Sequence, residues 1–358
     1  MEQIVRAVDV GYGNTKYVTA HAHGEEVHCS LFPSIAPHAG STPELGAGVL
    51  QRRNTVIIEA NGIRYEVGKE AHLAQDVSHG RILDPTFATS DTYLALIRGA
   101  FFYMGVKEVD LLVVGLPVST WGEYKDKMQA RLVGTHEIPN IGRAADGAEN
   151  NGETIKVVVK QIQVLPQPLG AFFDYSIRNN LYKDMKNQMN LLIDPGFYTT
   201  DWLLTHGTKP IESRSGSHSG GMSTIIASIA ESVGKKLGTQ INDLTPIDTA
   251  IRTNTKPRFF GQEFDLTEYL VAAKSKSRQF VSVLANKVGS GVDVDNIILA
   301  GGGAEFFREA IQEKFPKHTI ITTKDPVYAN VRGFQVAGEE WLRAASTRKQ
   351  RAAEMGAK

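Results

Sequence analysis

A single cysteine, Cys29, serves all 358 residues, so no intrachain disulfide can form and a reducing compartment is expected. Nothing beside Cys29 would activate its thiol, and it reads as a small, half-buried hydrophobe. Net charge is missing too. The chain has 39 acidic and 39 basic residues, which leaves no global field to draw it to nucleic acid or to an anionic membrane. No apolar run approaches the roughly 18 residues of a membrane span. The first residues lack the basic segment and apolar stretch of a signal peptide. A soluble cytoplasmic protein is expected, with no membrane contact and no direct nucleic-acid binding. Two sequence signatures are also absent: G-x-x-x-x-G-K-[ST], and a G-x-G-x-x-G that opens a helix. The P-loop and dinucleotide-binding classes are thereby excluded.

What is present is ordinary in bulk and unusual in pattern. Hydrophobic residues make up 42% and charged residues 22%, as in a globular protein, and the length favours two domains. The segment "VDVGYGNTKYV" from Val8 recurs as "IDPGFYTTDWLL" from Ile193. Asp9, Gly11, Asn14 and Thr15 fall over Asp194, Gly196, Thr199 and Thr200, each 185 residues later. Both copies follow one β-branched apolar run and lead into another, which predicts strand, tight glycine turn and strand, twice. Glycine turns let backbone amides approach an anion closely. Gly11 and Gly13 give that access in the first copy, and Asn14, Thr15 and Lys16 add donors. Gly196, Thr199 and Thr200 do so in the second, where Asp201 replaces the lysine. Asp9 and Asp194 each end an apolar strand, where an unpaired carboxylate is costly. Acting through water, they suit Mg²⁺ on a nucleotide. Gly301, Gly302 and Gly303 follow a buried strand over 296–300, at the strand end where open α/β sheets bind ligands. They are expected to give backbone access to adenosine and the α-phosphate.

Between these motifs the pattern alternates strands and helices. Asn61-Gly62 joins strands over 55–59 and 64–67 as a hairpin, and residues 32–48 read as loop. Ser90 caps a helix over 91–104 with one apolar face. A continuous strand is expected over 109–115. Thr120 and Glu123 form a capping box for a helix over 121–132, followed by an exposed loop over 138–153 and a strand over 155–164. Helices are expected from 169, over 222–237, across 264–288 and from 341, the last with a solvated basic end. The charge run over 274–278 reads as a solvated face. Glu231 and Lys235 are either an ordinary i,i+4 pair or ligand contacts. An α/β architecture follows, with two related halves around a cleft.

Five segments together resemble the signature of the actin-like ATPase superfamily: "DVGYGNTK", "LPQPLGAFF", "IDPGFYTTD", "LAGGGAEFF" and "YANVRGFQVAG". Within it, "VVGLPVS", "YEVGKEA" and "ANVRGF" are similar to the ParM/StbA group of plasmid-segregation ATPases and their archaeal relatives. The resemblance implies an actin-like (RNase H-like) fold, two related α/β domains around a nucleotide cleft. Domain I would be 1–165 with 326–358, including a small insertion at about 30–90, and domain II would be 166–325. It implies ATP, or alternatively GTP, with Mg²⁺ held by Asp9 and Asp194 through water. Gln167 would orient the attacking water and Asp194 would assist catalysis, while Glu231 and Lys235 would lie near ribose and base. The residues near 166–170 and 330–333 would absorb domain rotation. The implied function is a head-to-tail filament that moves DNA through a DNA-binding adaptor. A small-molecule kinase or phosphatase of the same superfamily, using Asp201, and a cellular scaffold are the alternatives.

Overall fold

The structure is a computed structural model that describes residues 3–19, 26–40, 51, 53–74, 81–140 and 153–356, with side chains as far as 348. The chain forms two compact units, residues 1–183 with 328–358, and residues 184–327.

The first unit is built on five strands in the order Ile162–Pro166, Leu111–Leu116, Val5–Val10, Asn14–Val18, Cys29–Pro33. The first three run parallel and the last two pairings are antiparallel. Leu111–Leu116 is buried at every position, as a central parallel strand covered on both faces must be. In the second unit the order is Lys209–Pro210, Thr200–His206, Met189–Pro195, Asn296–Leu299, Ile320–Thr322. Its last three strands are again parallel, and Met189–Pro195 and Thr200–His206 form an antiparallel hairpin. Both units therefore share one plan, a hairpin whose first strand is flanked by two further parallel strands. The repeat in the sequence is a repeat of topology.

Local signals set many element ends. Ser90 Oγ accepts the Tyr93 amide at 3.1 Å, and the helix Asp91–Met104 stops at Gly105 in a left-handed conformation. Asn61 and Gly62, with φ of 51° and 79°, join Thr55–Ala60 to Ile63–Gly68, the mirror-image turn that strand twist favours. Helix Met222–Leu237 buries Ile225, Ile229 and Val233, and Leu237 packs partly buried against the same core.

Other boundaries differ from the sequence expectation for identifiable reasons. The run 109–115 is two strands, Glu108–Val109 and Leu111–Leu116. Asp110 breaks it by accepting the Ile4 amide and the Lys160 ammonium. The run 155–164 also divides: Thr154–Val159 pairs in a three-stranded sheet with Glu108–Val109 and Gly134–Pro139, whereas Ile162–Pro166 joins the five-stranded sheet. There is no Thr120 capping box. The helix Val118–Leu132 starts after Pro117, and the Thr120 hydroxyl donates to the Pro117 carbonyl at 3.3 Å. Helices expected from 169 and 341 begin earlier, as Gln167–Arg178 and Ala329–Gly356, and the one across 264–288 is Thr267–Val288. The expected loop over 138–153 begins inside the strand Gly134–Pro139, and its residues 141–152, like 41–48 of the first loop, lie outside the described residues. So do the side chains of the basic end at Lys349 and Arg351.

Pro166 ends the strand Ile162–Pro166, and residues 167–170 and 330–333 lie at the starts of the helices Gln167–Arg178 and Ala329–Gly356, which meet backbone to backbone in the first unit. A Cβ on Gly333 would lie 1.8 Å from the Gly170 carbonyl oxygen, and one on Gly170 would lie 2.4 Å from that of Asn330. Beside this crossing Arg332 makes a two-pronged ion pair with Asp174, at 3.1 and 3.0 Å, with both side chains buried.

Candidate functional site

The two hairpins agree at atomic detail. In the first, Asp9 stands opposite Lys16 and Val10 opposite Thr15, and the Gly11 amide closes the turn on the Asn14 carbonyl at 3.1 Å. In the second, Asp194 stands opposite Asp201 and Pro195 opposite Thr200, and the Gly196 amide closes on the Thr199 carbonyl at 2.8 Å. The two turns share one register. The amides of Gly11 and Gly196 are thus consumed in shaping the turns.

Asp9 is the centre of the first half. It is 1% exposed; its Oδ2 accepts from Lys16 Nζ at 3.0 Å and its Oδ1 from Gln167 Nε2 at 2.7 Å. Two donors on a buried carboxylate offset the cost of its desolvation. Gly115 makes room for this arrangement, since a Cβ there would lie 2.8 Å from Gln167 Cγ and 2.7 Å from the Phe334 ring. Thr15 is fully buried. Ser34 Oγ donates to the Gly11 carbonyl at 2.6 Å, so the shared proton between Ser34 and Thr15, 3.0 Å apart, comes from Thr15. The Ser34 amide bonds the Gly13 carbonyl, and Arg81 Nε donates to the same oxygen at 3.3 Å. Asn14 is half-buried at the turn.

In the second half Thr200 plays the part of Thr15: it is fully buried and its hydroxyl donates to the Gly220 carbonyl at 2.6 Å. Asp201 is buried, and its oxygens accept from Thr199 Oγ1 at 2.6 Å and from Ser217 Oγ. Held this way, Asp201 is a poor candidate for the base that a kinase needs. The first amides of the helix Met222–Leu237 donate to the turn, Met222 to Gly196 and Ser223 to Phe197, at 3.1 and 2.7 Å. Gly221 permits that approach, because a Cβ would sit 2.6 Å from the Gly196 oxygen. Of the glycine triplet, Gly301 has φ of 82° and touches the site: an added Cβ would lie 2.0 Å from Asp194 Oδ1. The Gly303 amide donates to the Pro195 carbonyl at 2.8 Å, and at Gly302 a Cβ would meet only Val327 at 3.9 Å. The triplet and the second hairpin therefore form one cluster around Asp194.

Family comparison agrees with this geometry. The family described as actin like proteins, N-terminal domain, matches residues 7–170, and that described as archaeal actin homologue MreB-like, C-terminal, matches residues 192–313. The chain has an actin-like fold, and each half matches the model of an actin-homologue domain. Among solved structures, this actin-like protein is similar to Ta0583, an archaeal actin homologue, at 20% identity and a TM-score of 0.73, covering 94% of this chain and 100% of that one. It is similar to the actin-like protein Alp7A at 17% identity and a TM-score of 0.70, each chain covered in full. A third is the ParM of a 15-stranded filament from Clostridium botulinum, at 20% identity and a TM-score of 0.72, with 95% and 100% covered. These likenesses are likenesses of fold. No curated protein matches by sequence.

Glu231 and Lys235 pair at 2.7 Å on the exposed face of their helix, and the lysine holds the Glu231 carboxyl below its ordinary range. Burial pushes the Cys29 thiol up to about 12, which removes it as a nucleophile at neutral pH. Lys274 and Arg278 pair with Glu309 and Glu313 on an exposed face. Among the described residues no three His, Cys, Asp or Glu side chains gather to hold a metal, and no helix is long and apolar enough to cross a membrane. Asp9, with each oxygen already engaged, fits a Mg²⁺ ion reached through water, the usual habit of that ion with nucleotides. Sequence reasoning missed Ser34, Arg81, Gly115 and Ser217. Ser34, Arg81 and Ser217 come from segments with no pattern of their own, and Gly115 sits in an expected strand whose sequence does not say that Gln167 and Phe334 pack against it.

Proposed function

We propose that this protein is a filament-forming ATPase of the actin-like class, with ATP or GTP and Mg²⁺ as its ligands. The observation that carries this reading is the buried Asp9 carboxylate held between Lys16 and Gln167, on a hairpin whose register recurs around Asp194. Bound Mg²⁺ would neutralise phosphate charge, and Asp9 and Asp194 would fix its water shell. Lys16 has two ammonium protons beyond the one given to Asp9 and would pair with phosphate oxygens. Gly13, Asn14 and Thr199 would line the phosphates, with Thr15 and Thr200 bracing the turns and Gly301 to Gly303 receiving the adenosine side. Gln167 would orient the attacking water. An amide is no strong base, so in-line transfer to water rests on positioning and turnover is slow, as suits a switch.

The similar ParM structure is a filament, and one structure of Ta0583 is a complex with ADP; both support the reading. A head-to-tail contact between copies is heterologous and builds an open polymer. We place the protein in the cytoplasm, segregating plasmid DNA through a DNA-binding adaptor. The test is sedimentation across a protein concentration series with Mg–ATP, a non-hydrolysable analogue or ADP, alongside phosphate release. Polymer with ATP and the analogue, and release to monomer with ADP, is expected. A protein soluble at every concentration that consumes ATP only with a small acceptor would be a kinase instead.

A further inference from the structure

The two most exposed large apolar side chains among the described residues are Val292, 90% exposed, and Phe260, 80% exposed. Both belong to the second unit. A scattered surface hydrophobe needs no explanation, but each of these is presented by a turn that is itself braced.

Phe260 is at the tip of a hairpin in which Arg258–Phe259 pairs with Gln262–Glu263. Phe260 and Gly261 have φ of 50° and 79°, a turn that suits asparagine and glycine and strains phenylalanine. Arg258 Nη2 holds it by donating to the Gly261 carbonyl at 2.6 Å. Behind the tip the rings of Phe259, Phe264 and Tyr269 pack in succession, with centroids 5.8 and 5.7 Å apart. Tyr269 lies in the first turn of the helix Thr267–Val288. Val292 lies just beyond the other end of that helix, in a turn closed by the Val294 amide on the Gly291 carbonyl at 2.9 Å. Arg214 ties this turn to the helix, donating through Nε to the Val288 carbonyl at 3.0 Å and through Nη2 to Asp293 Oδ1 at 3.0 Å. The helix has 22 residues, so its ends are about 33 Å apart.

A single partner needs only one such patch. Two different apolar patches at opposite ends of one helix suit a chain that meets copies of itself head to tail. Charge permits the contact. Arg258 stands opposite Glu263, and Asp293 pairs with Arg214, so each patch holds both signs and like charges need not meet. We propose that Phe260 of one copy packs on the Val292 turn of the next. The strain at Phe260 is then a folding cost retained for assembly. The inference rests on the filament reading above.

Phe260→Asn and Val292→Asp test it, by sedimentation with Mg²⁺ and a non-hydrolysable ATP analogue. Each should raise the critical concentration about tenfold, as loss of an interface anchor does, while the melting temperature of the monomer stays at or above the wild-type value. Polymer at the wild-type critical concentration in either variant overturns the inference and leaves the filament reading intact. A fall in the melting temperature of Phe260→Asn also overturns it, since the ring would then have a partner in its own chain. Polarity is read by cross-linking with Gln262→Cys and Ser290→Cys, which flank the two anchors and leave them in place. Mixed in polymer, these single variants should be joined by a short bismaleimide as unlike pairs; Cys29, its thiol pushed up to about 12, does not compete. Pairs of like variants, the mark of a symmetric contact, overturn the inference. A wild-type protein that never sediments overturns both readings.

Discussion

Gly333→Ala separates helix propensity from packing, because the two predict opposite signs. Gly333 is inside the helix Ala329–Gly356, where propensity alone makes alanine better by about 1 kcal/mol. The new Cβ would stand 1.8 Å from the Gly170 carbonyl oxygen and 2.8 Å from the Asp174 amide nitrogen. Ordinary contact begins near 3.4 Å, so the helices must part by about 1.6 Å at this point. Both obstacles are backbone, and no rotamer change relieves them. Overpacking of this kind costs about 3 kcal/mol at the upper end of its usual range, and the buried Arg332–Asp174 pair lies at the same crossing. Less the propensity gain, a net loss of about 2 kcal/mol is expected, a fall in melting temperature of roughly 4–8 °C for a unit of this size. Gly122→Ala is the control. It too lies inside a helix, Val118–Leu132, but a Cβ there meets nothing within 4 Å, so alanine should stabilise. Thermal unfolding followed by circular dichroism compares the two variants. If Gly333→Ala raises the melting temperature as Gly122→Ala does, the packing argument is wrong.

Phe260→Asn should stabilise the protein by about 1 kcal/mol in thermal or denaturant unfolding, because Phe260 is 80% exposed with φ of 50° and bulky residues pay most in that region. The matching turn in this chain uses Asn61-Gly62, and the other non-glycine residues with positive φ among those described are asparagines and an aspartate. His136 is buried, with Nε2 2.8 Å from the Leu132 carbonyl, and burial holds its pKa below the ordinary value. The unfolded chain therefore takes up the proton first as pH falls. Stability from this group is complete above about pH 6.5 and lost below it toward the folded pKa, so melting temperatures should drop from pH 6.5 to 5.5, and less so in His136→Gln. Gln167→Ala should slow phosphate release about 10- to 100-fold, or roughly 1.4–2.7 kcal/mol of barrier, with filaments that persist longer; hydrolysis at the wild-type rate would remove Gln167 from the chemistry.

Some of this protein was determined by local sequence. The pairs Asp9/Asp194 and Thr15/Thr200 fixed two hairpins in one register, because turn closure by Gly11 and Gly196 involves only neighbouring residues. Ser90, Gly105 and Asn61-Gly62 set their element ends for the same reason: a cap or a left-handed turn is a short-range event. The uniform apolar runs announced strands, but not where they break, since Asp110 and residues 160–161 divide them through partners distant in the chain. Tertiary structure decided more of the site than its loops. Gln167, separated from Asp9 by 158 residues, became its hydrogen-bond donor through the parallel pairing of Ile162–Pro166 with Leu111–Leu116 and of that strand with Val5–Val10. The same folding turned Thr15, Thr200 and Asp201 inward, so the two threonine hydroxyls donate to Ser34 and Gly220 and brace the turns, and the Asp201 carboxylate accepts from Ser217. A side chain's residue type is written in the sequence, but its partner depends on which segments the sheet brings alongside it.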